Sequence, residues 1–416
     1  MKTSFLIASA ILLSAVSCQT LDQRICTGKK RSETYAGSSG PFIKEDRQPP
    51  GADNNRTDTC LYFCAVDFDN SYDWHRDSCC GNAEAEIILF RDFLPIIRIR
   101  TGEAYCIGTD PATHHLMDGH LYTEYTNATH TVIKKNGEEV IRYPGREVLK
   151  GLIDREGQLW TLGQDKKGEG FTLRCNGDVI FRKNEGIIFG DLAGSTHPGL
   201  YEDNGKICFC YSSGSDFYPN LFIVRDGAES QTQAPDRLVC DMLLFKSRLY
   251  ILSSDASGQN LKLQAEGPEY PISLNGITVH QAGLFENNGS INVLFNARNS
   301  NGDCSVIWKN PDIVQLGNCS AAYVYPVNGE LNCVTVRDEL IKCSMHGSET
   351  VYVASGAFLF NRFCAAFPGD SFFLALSPRK AGECPSVLHN RESVPVEING
   401  YISGLEVCLT EREEEK

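Results

Sequence analysis

A short turn pattern that recurs along most of the chain limits its fold more than any other feature. Each copy has an acidic or amide residue, a glycine, a polar residue and an aliphatic residue, at residues 118–121, 156–159, 204–207, 288–291 and 328–331. Asn or Asp followed by Gly accepts the positive φ angles of a two-residue hairpin turn, and the aliphatic residue begins the returning strand. Beyond residue 60 the sequence has no helical period, so it predicts an all-β protein built from hairpins.

The spacing of these turns predicts the architecture. With two weaker turns at residues 246–249 and 369–372, the last positions of the pattern fall at 121, 159, 207, 249, 291, 331 and 372, in steps of 38, 48, 42, 42, 40 and 41 residues. A second turn follows in each unit, at residues 136–137, 176–177, 226–227, 266–267, 310–311, 346–347 and 390–391. This order resembles the four-stranded blades of a β-propeller, which span roughly 40 to 50 residues each. The structural alternative, a two-domain β-sandwich protein, does not explain the even spacing.

An eighth unit is split between the two ends of the repeat region. Residues 61–66, 86–90 and 94–99 supply three strands without an innermost one, and the last apolar segment, residues 401–409, has no partners of its own. Pairing these strands closes a ring and removes both exposed sheet edges. We therefore predict a single β-propeller over residues 60–409. It has eight blades, or seven if residues 60–100 pack outside the ring.

The two ends of the chain differ in composition from the repeats. Residues 1–17 combine one positive charge, a short apolar run and small residues before Cys18, as in a secretory signal peptide. Residues 15–18 also resemble a bacterial lipobox, so a lipoprotein anchored through Cys18 is the alternative to a secreted protein. Residues 18–59 are predicted to be a polar arm that contains cysteine, and residues 410–416 an acidic tail. No other segment approaches the ~18 consecutive apolar residues of a membrane-spanning helix.

Charge and cysteine content indicate the compartment and exclude two classes of partner. The formal net charge of −14 leaves no basic surface for phosphate groups, so nucleic acid and anionic membrane are not expected partners. The 18 cysteines favour an oxidising, extracellular location and disulfide bonds. In a secreted protein, four Asn-x-Ser/Thr sequons are candidate glycosylation sites: Asn55, Asn127, Asn288 and Asn318.

Two cysteine pairs follow from the predicted blades. Cys333 and Cys343 flank one hairpin and are predicted to form a local disulfide. Cys64 and Cys408 lie on the first and last strands of the ring, and a disulfide between them would lock the ring shut. Such a bond closes a long loop, which corresponds to roughly 4 to 5 kcal/mol in the chain-entropy description.

Cys79 and Cys80 are adjacent in a long loop. Adjacent cysteines generally pair with different partners, and Cys26 and Cys60 are the candidates here. The alternative is a strained vicinal disulfide, a feature that resembles the eight-bladed propellers of quinone-dependent dehydrogenases. Cysteine spacings typical of zinc sites are absent, so neither a metal nor another cofactor is expected.

The sequence contains no short motif of a known catalytic site, so the candidate site rests on position alone. Loops that enter the innermost strands converge on the central face of a propeller, where ligands commonly bind. The charged and imidazole side chains expected there are Asp110, His114, His115, Asp191, His197 and Asp241. We expect a non-enzymatic extracellular binding or scaffold protein for a protein or glycan ligand. The alternative is a secreted carbohydrate-active hydrolase or lyase with its catalytic residues on that face.

Overall fold

The computed structural model of the protein is all-β. It describes residues 58–68, 85–100, 114–126, 129–165, 170–190, 199–215, 218–232, 237–255, 260–265, 268–337, 340–345, 348–353, 358–359, 364–378, 383–390 and 392–410. These residues form strands, turns and irregular segments without a helix. Residues Thr59–Thr410 make up one compact unit.

The strands form eight sheets, which we number as blades in chain order. Blade 1 begins with β1 (Asp58–Phe68), β2 (Ala85–Arg91) and β3 (Leu94–Arg100). Blade 2 contains β4 (His114–Met117), β5 (His120–Thr126), β6 (His130–Lys135) and β7 (Glu138–Pro144). Blade 3 contains β8 (Glu147–Arg155), β9 (Gln158–Asp165), β10 (Phe171–Cys175) and β11 (Asp178–Lys183). Blade 4 contains β12 (Ile187–Ile188), β13 (Tyr201–Asp203), β14 (Lys206–Ser215), β15 (Tyr218–Arg225) and β16 (Ala228–Thr232).

The second half of the ring repeats the same order of strands. Blade 5 contains β17 (Leu238–Phe245), β18 (Arg248–Ser254), β19 (Leu261–Ala265) and β20 (Glu269–Ile272). Blade 6 contains β21 (Thr278–Asn287), β22 (Ser290–Asn299), β23 (Gly302–Lys309) and β24 (Asp312–Gly317). Blade 7 contains β25 (Ala321–Val327), β26 (Glu330–Arg337), β27 (Leu340–Met345) and β28 (Ser348–Val353). Blade 8 contains β29 (Phe358–Leu359), β30 (Ala365–Ala366), β31 (Phe373–Pro378), β32 (Ser386–His389) and β33 (Glu392–Pro395), and the chain ends in β34 (Gly400–Thr410).

The ring closes in blade 1. Its strand order is β3-β2-β1-β34, so the last strand of the chain is the innermost strand of the sheet that the first strand begins. The prediction of an eight-bladed propeller closed by the N- and C-terminal strands is therefore confirmed. In blades 4 and 8 the innermost strand is divided into two short pieces, β12 with β13 and β29 with β30.

The turns of the sequence pattern have the backbone angles that the pattern predicts. Asp118 and Gly119, between the first two strands of blade 2, have φ angles of 50° and 71°. Even the weaker turn of blade 5, without glycine, has positive φ at both Lys246 and Ser247. Positive φ at both central residues matches the right-handed twist of the flanking strands.

A second set of hydrogen bonds explains why an amide or acid begins the turn between the third and fourth strands. In five blades this residue bonds with an apolar residue at or near the start of the second strand. It accepts the backbone N–H of that residue through Oδ1 and donates its own N–H to that residue's carbonyl. The pairs are Leu61 with Asp92, Leu121 with Asn136, Leu159 with Asn176, Ile207 with Asp226, and Phe372 with Asn390. Both turns of a blade are thus tied together at the same end of the sheet.

The blades pack through apolar side chains on their facing surfaces. On β1, Phe63 and Ala65 pack with Ala375 and Val387 of blade 8, whereas Cys64 packs with Leu121 of blade 2. This alternation is the two-residue period of a strand that is covered on both faces.

Side chains of five blades also accept a backbone N–H from the innermost strand of the next blade. The donors and acceptors are Leu149 to Glu124, Leu244 to Tyr201, Leu284 to Asp241, Ala322 to Asn296 and Ile402 to Ser377, at 2.7 to 3.2 Å. An innermost strand has neighbours in its own sheet on one side only. These side chains therefore satisfy backbone donors that the sheet leaves unpaired.

The predicted Cys333–Cys343 disulfide is wrong. Cys333 pairs with Ser344, and Cys343 pairs with Val334, so a shift of one residue separates the two cysteines in the register. Because side chains alternate along a strand, Cys333 packs toward blade 6 and Cys343 toward blade 8.

The predicted Cys64–Cys408 disulfide is also wrong, although β1 and β34 are neighbours as expected. The Sγ atom of Cys64 lies 3.3 Å from Oγ of Ser403, whereas Sγ of Cys408 lies 3.3 Å from Oε1 of Glu406. Cys408 is therefore too far along its strand to pair with Cys64. The thirteen cysteines that the structure describes are thiols, and Cys79 and Cys80 lie outside the described residues.

Candidate functional site

The residues predicted for the central face divide into two groups. Asp110, Asp191 and His197 lie outside the described residues, so their contribution stays a prediction. His114 and His115 lie on β4, the innermost strand of blade 2, where they pair with Thr123 and Tyr122 of β5.

Asp241, the sixth predicted site residue, has a structural role. It is buried on β17 in blade 5, where Oδ1 accepts the backbone N–H of Met242 at 2.8 Å. Its Oδ2 accepts the backbone N–H of Leu284 in blade 6 at 2.7 Å. The carboxylate is therefore bound by backbone donors of two adjacent blades.

One cluster of buried ionisable side chains lies between blades 2 and 3. Arg174 donates two hydrogen bonds to Glu147, at 2.5 and 2.9 Å, and its guanidinium lies 3.9 Å from the ring centroid of Tyr143. Burial, reinforced by Glu147 and Glu124, raises the pKa of Tyr143 well above its ordinary value. Arg174 and Glu147 are 1% and 7% exposed, so no substrate can approach this pair. We assign the cluster to the packing of the two blades.

A cleft between blades 5 and 6 has the features of a binding site. Its volume is about 450 Å³, and it lies beside the turn between the first two strands of blade 6. Three aromatic side chains line it: Tyr250 of β18, Tyr270 of β20 and Trp308 of β23. The rings of Tyr270 and Trp308 are 6.5 Å apart and tilted by 54°. Trp308 is buried in the core between the two blades and holds the wall of the cleft in place.

Amide side chains supply the polar part of the cleft. Asn292 is buried and donates a hydrogen bond to the carbonyl of Ser290 at 3.1 Å. Oδ1 of Asn287 is shielded from solvent and accepts no hydrogen bond from the described residues. The exposed amides of Asn288 and Asn310 are the polar groups of this type in the cleft that a ligand hydroxyl can reach.

The charge of the cleft is opposite to that of the whole chain. Arg248 and Lys309 are among its fourteen described lining residues, which include neither Asp nor Glu. The ammonium of Lys246 lies against Gly289 at the rim and adds a third cation. In a chain with a formal net charge of −14, this concentration of cations favours an anionic ligand.

Sequence reasoning missed this cleft. Its lining comes from β18 to β20 of one blade and β21 to β23 of the next, and each residue alone is ordinary for a strand or turn. One signal was present in the sequence: two adjacent amides, Asn287 and Asn288, at a turn where the other copies of the pattern have one amide or none.

The two sequons within the described residues are both exposed. Asn288 lies in the turn at the edge of the cleft, and Asn318 follows β24. Exposure is necessary for glycosylation but does not demonstrate it, so Asn288 and Asn318 stay predictions. Asn55 and Asn127 lie outside the described residues and stay predictions as well. A glycan on Asn288 would stand at the mouth of the cleft, so any binding experiment has to control for it.

Within the part of the chain that the structure describes, no three His, Cys, Asp or Glu side chains are grouped in a way that could hold a metal ion. No helix there is long and apolar enough to cross a membrane.

Comparisons with known proteins show similarity of fold. Neither a protein-family model nor a curated protein matches the chain. Among solved structures, Hsv2p from Kluyveromyces lactis is 12% identical, with a TM-score of 0.40, and covers 70% of this chain and 96% of its own. The dihydro-heme d1 dehydrogenase NirN is also 12% identical, with a TM-score of 0.48 and coverage of 82% and 74%. The β-propeller domain of the trilobed protease from Pyrococcus furiosus is 11% identical, with a TM-score of 0.38 and coverage of 64% and 86%.

Proposed function

We propose that this protein is a non-enzymatic extracellular binding protein that holds an acidic glycan in the cleft between blades 5 and 6. The observation that carries the proposal is the combination, in one cleft of about 450 Å³, of aromatic rings, amide side chains and two cations in a lining without Asp or Glu. The extracellular location rests on the signal-peptide pattern of residues 1–17 and on the 18 cysteines of the chain.

Each group of the cleft has a part in recognising a sugar. The half-exposed rings of Tyr250 and Tyr270 offer apolar faces to the C–H face of a pyranose. The exposed amides of Asn288 and Asn310 offer hydrogen-bond donors and acceptors to sugar hydroxyls. Arg248 and Lys309 bind a carboxylate or sulfate group on the same sugar. A neutral apolar ligand would use only the first of these features.

The cleft is built largely from packed strands of two adjacent blades, which supports this function. Its aromatic wall belongs to the buried core of two adjacent blades, and Asp241 ties the innermost strands of those blades together. A preformed site loses little conformational entropy when a ligand binds.

The test is isothermal titration calorimetry of the full secreted chain with two matched oligosaccharides, one containing uronate residues and one neutral. We expect the uronate oligosaccharide to bind, and Arg248→Gln and Tyr250→Ala each to weaken its binding by about tenfold or more, which corresponds to about 1.4 kcal/mol. Arg142→Gln, at an exposed arginine of blade 2, is the matched control and is expected to bind like the wild type. Ser290→Ala removes the Asn288 sequon but keeps Asn288, so it shows whether an attached glycan blocks the cleft.

Two results would overturn the proposal. Binding that is the same in the wild type, Arg248→Gln and Tyr250→Ala would show that the ligand lies elsewhere. Shortening of the oligosaccharide during incubation, detected by mass spectrometry, would favour a hydrolase or lyase.

A further inference from the structure

We propose that Cys60 and Cys408 form a disulfide that joins the first and last strands of the ring. It is a modification site in blade 1, on the face that packs against blade 2, and it does not depend on the proposed glycan site.

The register between β1 and β34 brings these two residues together. The two strands are antiparallel, because Phe68 donates its N–H to the carbonyl of Asn399 while Cys64 lies beside Ser403. Four residues back along β1 from Cys64 is Cys60. In a regular pair, four residues forward from Ser403 would reach residue 407.

A one-residue bulge in β34 moves the partner from residue 407 to residue 408. Ile402 and Leu405 both pack into the core with blade 8, although residues three apart on a regular strand point to opposite faces. The extra residue of a bulge restores the same face after an odd spacing. Cys408 therefore lies opposite Cys60.

Both cysteines also lie on the same face of the sheet. Cys64 packs with Leu121 of blade 2, and Cys60 shares its face because the two are an even number of residues apart. On β34, Glu406 accepts the backbone N–H of Asp118 in blade 2 at 2.8 Å, and Cys408 shares the face of Glu406. Cross-strand neighbours of this kind have Cα atoms about 4.5 to 5.5 Å apart, which suits a disulfide.

The surroundings of the two sulfur atoms agree with this placement. Burial, then Glu406, raises the pKa of Cys408 to about 12, and Cys60 and Asp118 contribute further. Burial also raises the pKa of Tyr62, two residues after Cys60 on the same face of β1, and both cysteines add to that increase. Cys60 and Cys408 are therefore near each other and near the same ring.

The chemistry needs an oxidant, which we name as a low-molecular-weight disulfide such as oxidised glutathione. The thiolate of one cysteine attacks the glutathione disulfide and releases one glutathione thiolate, and the second cysteine then attacks the mixed disulfide and releases the other. In the net reaction, the sulfur–sulfur bond of oxidised glutathione breaks and one between the two cysteines forms. The two cysteine protons end on two glutathione thiols, so two cysteine sulfurs are oxidised and one disulfide is reduced.

The test maps the bond in the full chain after secretion into an oxidising compartment. The protein is alkylated under denaturing conditions without reductant, digested and analysed by mass spectrometry. We expect one linked pair of peptides that contains Cys60 and Cys408, is lighter than the two separate peptides by two hydrogen atoms and disappears on reduction. Full alkylation of both residues, or a link from either to another cysteine, would overturn the proposal.

Variants of the cysteines provide a second readout, the stability of the fold, which the peptide mapping does not measure. Cys60→Ser and Cys408→Ser should each lower the urea midpoint of unfolding in non-reducing buffer, and adding reductant should lower the midpoint of the wild type by more than it lowers the midpoint of either variant. Cys64→Ser is the matched control on the same strand, and it should keep both the linked peptide and the response to reductant. A change on adding reductant that is the same in the wild type and in both variants would contradict a bond between Cys60 and Cys408.

Discussion

Replacement of Asp241 by alanine tests whether the ring depends on hydrogen bonds between blades. The carboxylate of Asp241 accepts two buried backbone N–H groups, from Met242 in its own strand and from Leu284 in the next blade, at 2.8 and 2.7 Å. Asp241→Ala removes the acceptor of both and leaves no room for bulk water, since residue 241 is 4% exposed. Each buried donor left without its acceptor costs about 1 to 3 kcal/mol.

The expected loss of unfolding free energy for Asp241→Ala is therefore about 2 to 6 kcal/mol. Asp241→Asn keeps one acceptor oxygen but turns an NH₂ group toward the other donor, so we expect about half of that loss. The assay is equilibrium unfolding in urea, monitored by tryptophan fluorescence. Asp312→Ala, at an exposed position on β24, is the control and should change the stability by less than about 0.5 kcal/mol.

One result would refute this reasoning. If Asp241→Ala destabilised the protein no more than Asp312→Ala, then the hydrogen bond from blade 6 to blade 5 would contribute nothing measurable. The other acceptors of the same kind, such as Glu124 and Asn296, would then lose their assigned role as well.

Two further predictions concern the turns and the acid response. Gly227→Ala should destabilise the protein by about 1 to 3 kcal/mol more than Gly157→Ala. Both glycines have positive φ, but a Cβ at residue 227 would collide with Ile180, whereas a Cβ at residue 157 meets no atom within 4 Å. Equal urea midpoints for the two variants would contradict this packing argument. Hydrogen bonds from Lys135 and then from Tyr122 lower the pKa of Asp154 below its ordinary value of 3.8. The ionised carboxylate therefore stabilises the folded state above pH 3.8, and this stabilisation is lost as the pH falls through the lowered pKa. Asp154→Asn should therefore reduce the difference in urea midpoint between pH 5 and pH 2.5, and an unchanged difference would assign the acid response to other groups.

The number of blades and the closure of the ring were predictable from sequence because they depend on local turns. A pair such as Asn204 and Gly205 specifies its own backbone angles, and the aliphatic residue at 207 follows at a fixed offset. Repetition of that local signal then gives the blade count without knowledge of any long-range contact. The innermost strand of blade 1 was found by the same logic, as an apolar segment without partners.

The cysteine pairing was not predictable, because it depends on the exact register of neighbouring strands. Cys64 lies beside Ser403, five residues before Cys408 along β34, and one extra residue between Ile402 and Leu405 places Cys408 opposite Cys60 instead of residue 59. Side-chain direction has a period of two, and the sequence pattern does not show where a bulge occurs. In blade 7 the ladder is regular, and the length of the turn between β26 and β27 places Cys333 opposite Ser344 instead of Cys343.

The candidate site shows the same division. The sequence by itself determined the repeat, the all-β class and the ring, because each rests on residues close together in the chain. The tertiary structure alone decided that Asp241 serves the neighbouring blade and that Tyr250, Asn287 and Trp308 meet in one cleft. These residues belong to different strands of two blades, and only the packing of blade 5 on blade 6 sets the distances between them.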